Sequence, residues 1–272
     1  MNVKDLRLSG RKNHKENTIV KAKNVLFGSE KIVLIGGPCA VESEKQVEEI
    51  AKGVHGVSVY RGGSFKPRTS PYSFLGLEKE GIQILKKISE EHKIPFVTEI
   101  TKIEDLDYFI ENVDIIQIGA RDMQNFELLK AVGRTKKPVL LKRGFGNTIE
   151  ELLLSSEYIL KEGNPNVILC ERGIRTFENS ERFTLDIGAI SIIKRYSHLP
   201  VIVDPSHASG DPFYIESLSL AAIAAGADGL MIEIHNDPAN ALSDKDQALT
   251  IEQYNKLVEK IAPVAKAIGR SV

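Results

Sequence analysis

The chain has 272 residues, 42% apolar and 27% charged, enough to bury a substantial core and better suited to one large domain than to two average ones. Its 36 Lys and Arg nearly balance 37 Asp and Glu, which excludes a global field that would gather nucleic acid or an anionic membrane, so anion binding has to be local. Nowhere do about 18 uninterrupted apolar residues occur, as a membrane span would require. With only Cys39 and Cys170, no disulfide framework is possible, and the chain reads as a soluble cytoplasmic protein.

The first 17 residues look flexible or available for subunit contacts. From 18 to 27 the run TIVKAKNVLF alternates apolar and polar residues and ends in a Gly28-Ser29-Glu30 turn, which predicts a small extra strand or hairpin plugging the bottom of the fold. Residues 1–31 thus read as an extension and 32–272 as the main folded unit. Short apolar, β-branched runs then alternate with longer amphipathic stretches, the pattern of repeated βα units and a parallel sheet. Strands are predicted at 32–36, 56–61, 95–100, 114–119, 138–142, 166–171, 199–204 and 229–234. Most are continuous apolar runs, as strands buried on both faces should be. Helices are clearest at 81–92, 148–162, 213–225 and 251–268, where apolar residues recur at steps of three and four. Ser43 is a candidate N-cap before EKQVEEI, and Thr101 before KIEDLDYFI, with Glu104 completing a capping box. Eight such units predict an α/β fold of the closed (β/α)8, or TIM, barrel type rather than an open doubly wound sheet.

In such a barrel the active site forms at the C-terminal ends of the strands and in the loops that follow. Those ends read, in chain order, GGPCAVES, YRGGSFKPRTSPYSF, VTEI, IGARDMQN, LLKRGFG, LCERG, VDPSHASGD and MIEIHNDPANALSD. Polarity at any one end is ordinary contact with solvent. Together, however, they bring Arg61, Lys66, Arg68, Arg121, Lys142 and Arg172 to one mouth, where repulsion would cost stability unless anions neutralise it. Two phosphates and a carboxylate would do so. A second subset, Cys39, His207, Glu233 and Asp244, offers a thiolate, an imidazole and two carboxylates, a donor set suited to Mn, Fe, Co or Zn rather than to Mg or Ca. Barrel closure sets the first and eighth strands side by side, so ligands distant in sequence can meet. Taken alone, Cys39 reads more readily as a small core residue than as a ligand, its place after Gly36-Gly37-Pro38 favours the ligand, and His235 rivals His207 as the imidazole. Cys170, behind VIL, reads as buried packing.

As a set, GPCAVES, RGGSFKPRTSPYSF, GAR, the LLKRG lysine, DPSHASG and EIHNDPANALSD resemble the DAHP (3-deoxy-D-arabino-heptulosonate 7-phosphate) synthases of the short, type I-beta branch, from about residue 32 to the C-terminus. The resemblance implies a transferase that condenses phosphoenolpyruvate with D-erythrose 4-phosphate and water, releasing phosphate, at the first step of the shikimate pathway to the aromatic amino acids. It implies one divalent ion held by Cys39, His207, Glu233 and Asp244. Arg121 with the Gly119-Ala120 backbone, Lys142 and Arg172 would face the phosphate of phosphoenolpyruvate, and Arg61 and Lys66 its carboxylate. Arg68, Thr69 and Ser70 would take the phosphate of the aldose, Glu99 would position a reacting water or proton, and Lys142 would pair with phosphate or shuttle a proton. The catalytic set implied is thus Cys39, Lys66, Glu99, Lys142 and His207. A related family, the 3-deoxy-D-manno-octulosonate 8-phosphate synthases, uses arabinose 5-phosphate and typically reads Lys-Ala-Asn-Arg where this chain has Lys66-Pro67-Arg68-Thr69. Many members carry an added regulatory domain or a fused chorismate mutase; this chain shows neither, so an unregulated enzyme is expected. A homo-oligomer, tetramer or dimer, is expected from the family's habit.

Two other readings compete. A Schiff-base aldolase acting through Lys142 leaves Cys39, His207, Glu233 and Asp244 without a role. A catalytically dead barrel kept as a scaffold should have lost rim cations or ligands, and this one has kept them.

Overall fold

The computed structural model describes residues 5–67, 70 and 72–272. An antiparallel hairpin, β1 (Val20–Ala22) and β2 (Val25–Phe27), precedes the main sheet. The sheet contains β3 (Val33–Gly37), β4 (Val59–Arg61), β5 (Phe96–Ile100), β6 (Ile115–Ile118), β7 (Val139–Lys142), β8 (Val167–Glu171), β9 (Val201–Val203) and β10 (Gly229–His235). Each pairs in parallel with the next, and β10 pairs with both β9 and β3, so the predicted barrel closes. All eight strands lie where the apolar runs place them, with no end moved by more than three residues. The largest shift is at β4, because Gly56 takes a left-handed φ of 71° in the turn leading to it.

Between the strands run α1 (Glu44–Gly53), α2 (Glu78–His92), α3 (Leu106–Asn112), α4 (Phe126–Gly133), α5 (Ile149–Lys161), α6 (Ile187–Tyr196), a short α7 (Pro205–Ser209) and α8 (Pro212–Ala224). After β10 a loop returns as β11 (Leu249–Thr250), paired in parallel with the end of β10, and α9 (Ile251–Ala267) completes the ring. The large core lies between strands and helices. A second core fills the barrel itself, where Val20, Ala22, Val25 and Phe27 of the hairpin meet Val33, Ile35, Val59, Val97 and their neighbours on the other strands. The plug is therefore present, as a hairpin turning at Lys23 (φ 51°) and Asn24, and Gly28 (φ 85°) makes the turn that follows it, as expected.

Ser43 caps α1 as expected, accepting from Gln46 N. Thr101 does not cap a helix. A 3-10 turn at Ile103–Asp105 follows it, and its tighter bonds move the start of α3 to Leu106, with no side-chain cap at either start. Reciprocal boxes occur instead at Thr148 and Glu151, at the head of α5, and at Thr250 and Gln253, at the head of α9. The flexible arm is also corrected. Among the described residues before 18, Leu6 is buried, the Leu8 and Ser9 amides donate to Glu157 on α5 at 3.0 and 2.6 Å, and Gly10 bridges Ser197. These bonds and the buried leucine hold the arm against the barrel.

Candidate active site

Side chains alternate along a strand, so the inward positions recur every second residue. Ile35, Val59, Val97, Ile115, Leu140, Ile168, Ile202 and Met231 form the inner apolar layer. Two residues further up, the same alternation gives Gly37, Arg61, Glu99, Gln117, Lys142, Cys170, Asp204 and Glu233. One step along the strands turns an apolar layer into a charged one. Gly37 has φ 150°, and a Cβ there would stand 2.2 Å from the Arg61 carbonyl oxygen. Only glycine lets β3 approach β4 so closely before the chain turns into Pro38 and Cys39.

Cys39, His207, Glu233 and Asp244 converge, with one ligand atom from each all within 4.8 Å of one another. The Cys39 thiol lies 3.1 Å from Asp244 Oδ2, and Lys66 Nζ approaches its sulfur to 2.9 Å. Asp204, the N-cap of α7, accepts from the His207 amide and takes His207 Nδ1 at 2.7 Å, leaving Nε2 3.1 Å from Glu233 Oε1. This is the arrangement by which a carboxylate orients a metal-ligating histidine. Burial alone would lower the His207 pKa, but Asp204 and Glu233 outweigh it and push the group up to about 9. Burial would likewise raise Glu233 and Asp204. The His207 and Arg61 charges hold Glu233 well below the ordinary carboxylate range, and His207 with Lys142 does the same for Asp204. Asp244 adopts φ 50°, a left-handed conformation that aspartate tolerates better than most residues. His235, the rival imidazole, lies elsewhere: its Nε2 faces Gln46 at 2.9 Å and Glu42 at 3.6 Å on the α1 side.

Beside this cluster lies a cavity of about 510 Å³. Arg61, Lys66, Ser70, Glu99, Gly119, Ala120, Arg121, Lys142 and Arg172 all line it. The buried Arg61 pairs with Glu233 at 2.7 Å, and Lys142 with Asp204 at 2.6 Å. Arg172 has no such partner. Its Nη2 donates to the His207 carbonyl at 3.1 Å, its Nη1 is buried without a hydrogen bond among the described residues, and burial pulls its pKa down. An unpaired buried guanidinium is a costly group that an anion would satisfy. Glu99 accepts from Gln117 at 2.9 Å, and a Cβ on Gly119 would fall 2.0 Å from its carboxylate, so the glycine makes room for it. Arg68 and Thr69 lie outside the described residues. Cys170 is fully buried, and burial pushes its thiol pKa up, as packing requires.

Several residues in or beside the cavity had no place in the sequence reading. Gln117 and Asp204 follow from the two-residue step on β6 and β9. Arg175, Arg182 and Phe183 come from the loop between β8 and α6, tied by an Ile174–Thr184 bridge. Phe145 stacks on Phe183 at 5.2 Å, while the Arg121, Arg172 and Arg175 guanidiniums lie 5.1 to 5.4 Å from its ring centre. No local pattern announces that long-range stack.

A profile of the DAHP synthetase I family matches residues 16–268. The chain is 48% identical to phospho-2-dehydro-3-deoxyheptonate aldolase of Thermotoga maritima, over 99% of this chain and 80% of that one. It is 33% identical to 2-dehydro-3-deoxyphosphooctonate aldolase of Desulfotalea psychrophila, over 90% and 94% of the two chains. The crystal structure of the Thermotoga maritima DAHP synthase superposes with a TM-score of 0.95, covering 98% of this chain and 78% of that one at 48% identity. A truncated form of the Thermotoga maritima 3-deoxy-D-arabino-heptulosonate 7-phosphate synthase superposes at 0.92 with 44% identity, over 98% and 99%.

Proposed function

The chain belongs to the DAHP synthetase I family, and from that premise we propose that it condenses phosphoenolpyruvate with D-erythrose 4-phosphate and water to 3-deoxy-D-arabino-heptulosonate 7-phosphate and phosphate, the first step of the shikimate pathway. The observation that carries the reading is the shared mouth: a cavity lined by Arg61, Arg121, Lys142 and Arg172 opens beside the convergent Cys39, His207, Glu233 and Asp244. Those four donors fit one divalent ion of the Mn, Fe, Co or Zn class, which when bound supplies Lewis acidity to the aldehyde oxygen of the sugar. Arg121, Lys142 and Arg172 hold the phosphate of phosphoenolpyruvate, and Arg61 and Lys66 its carboxylate, so that C3 faces the aldehyde carbon. Attack joins the two carbons, water adds at C2, and the hemiketal phosphate loses phosphate by C–O cleavage. Glu99, oriented by Gln117, holds the reacting water or a proton, and Lys142 stabilises the charge on the departing phosphate. Arg68, Thr69 and Ser70 take the aldose phosphate. Residues 32–272 are the catalytic unit, with 1–31 as its extension.

The Schiff-base alternative is disfavoured by Lys142 itself, whose ammonium is bound to Asp204 rather than presented free. Among the described residues no helix is long and apolar enough to cross a membrane, and two buried free thiols fit a reducing cytoplasm. The family likeness supports a dimer or tetramer, which sedimentation would test. The deciding experiment measures phosphate release from phosphoenolpyruvate with erythrose 4-phosphate and with arabinose 5-phosphate, each with and without chelator. Chelator-sensitive turnover of the four-carbon sugar is expected. Preference for the five-carbon sugar would move the chain to the octulosonate reaction, and chelator-insensitive turnover would remove the metal.

A further inference from the structure

Glu233 has two carboxylate oxygens in different surroundings. Oε1 faces the cluster, 3.1 Å from His207 Nε2 and 2.7 Å from Arg61. Oε2 is taken by the Gln247 side-chain amide. Gln247 is itself buried, and its Oε1 accepts from Arg182 Nη1 at 2.7 Å. The amide is thus oriented from both ends: an arginine can only donate, so the oxygen faces Arg182 and the NH2 faces Glu233. The backbone fixes it as well, because Gln247 stands two residues before Leu249, which pairs with Ile234 in the β10–β11 ladder. Arg182 in turn is anchored by its amide on Ser209 at 2.9 Å and lies 3.8 Å from Asp244. The Arg182 side chain therefore reaches a partner of one carboxylate of the cluster and the other carboxylate directly.

We propose that Gln247, oriented by Arg182, is a positioning residue for the cation site: by binding Glu233 Oε2 it turns Oε1 towards Cys39, His207 and Asp244. The inference rests on reading those residues as a cation site. Partners of this kind contribute roughly 10–100-fold to metal affinity. The test titrates purified metal-free protein with Co2+ against a chromophoric chelator and records the thiolate-to-cobalt absorption band. Gln247→Met keeps length and volume and removes only the amide. It should bind Co2+ roughly 10–100-fold more weakly than the unmodified protein, with an altered band and an unchanged melting temperature when metal-free. Arg182→Ala, a half-exposed position whose loss does not threaten folding, should weaken binding less. If Gln247→Met does not fold, Arg182→Ala decides alone. In the double variant the two effects should not add. Unchanged affinity and band in Gln247→Met, or in Arg182→Ala where only that variant folds, overturn the proposal. Failure of the unmodified protein to bind Co2+ would instead remove the cation-site reading.

Discussion

At the lower end of the barrel interior Ile35, Val59, Val97, Ile115, Leu140, Ile168, Ile202 and Met231 pack around Phe27 of the hairpin. One inward step higher, the same strands present Arg61, Glu99, Gln117, Lys142, Asp204 and Glu233. The lower layer satisfies itself, because apolar groups need only one another and the exclusion of water. The upper layer is held by pairing, Arg61 to Glu233 and Lys142 to Asp204 to His207, and it still leaves Arg172 Nη1 without a partner among the described residues. Buried ion pairs contribute little net stability. The difference teaches that one backbone rule serves two ends: the lower layer holds the fold, and the upper layer keeps charge in place at the mouth.

Substitutions should separate the two ends. The largest effect is expected for His207→Ala. Loss of Lewis-acid stabilisation worth several kcal/mol corresponds to a fall in kcat of about 10³-fold or more, and calorimetry should still find a folded protein. Phe27→Ala should do the reverse, costing about 3–5 kcal/mol of stability while kcat of the folded fraction stays near that of the unmodified protein. A drop in kcat with stability intact would show that the plug reaches the chemistry. Arg172→Met tests the upper layer from the side of its unpaired charge. It should lower kcat/KM by about 10²–10³-fold and change stability by no more than about 1–2 kcal/mol, since Nη1 makes no hydrogen bond among the described residues and Nη2 makes a single one, to the His207 carbonyl. A large loss of stability would make Arg172 a structural residue.

Much of this division was legible in the sequence. The runs at 138–142 and 166–171 declared strands because a parallel strand buried on both faces needs a nearly unbroken apolar sequence, and the motif at each run's end placed the rim residues. Cys39 and His207 stood out as candidate ligands rather than core or bystander only when barrel closure brought Glu233 and Asp244 beside them and turned His235 towards Gln46. Asp204 and Gln117 were readable by counting two residues up from Ile202 and Ile115. Gln247, Arg182 and the Phe145–Phe183 stack were not, because their partners lie on distant loops and no local period marks them. Thr101 misled because a capping-box pattern does not distinguish a helix start from a 3-10 turn.

Protonation sharpens the contrast at a smaller scale. With Asp204 and Glu233 on its nitrogens, His207 in the ion-free protein titrates at about 9, so an incoming ion has to displace a proton at neutral pH. Co2+ affinity should therefore rise by roughly tenfold per pH unit for each proton displaced, levelling off as pH passes that value. The sign for folding is opposite: this group's contribution to the ion-free fold is complete below its ordinary 6.5 and is lost as pH rises through about 9. Calorimetry and Co2+ titration at matched pH check both directions, and an affinity that does not change with pH would place the proton elsewhere.

The smallest expected effect asks whether every residue near the mouth serves chemistry. Thr148, in the loop after β7, accepts from Glu151 N while the Glu151 side chain binds back to the Thr148 amide. Thr148→Ala removes the hydroxyl half of that pair and leaves the backbone half, and should cost about 1 kcal/mol of stability with kcat and KM unchanged. Thr101→Ala, at the end of β5, removes no cap and should stay within about 0.5 kcal/mol. Equal losses in the two variants would mean that the cost comes from the side chain's surroundings and not from capping. A change in kcat at Thr148 would show that the start of α5 helps to hold the neighbouring Lys142, joining the two kinds of residue that the barrel otherwise keeps on separate layers.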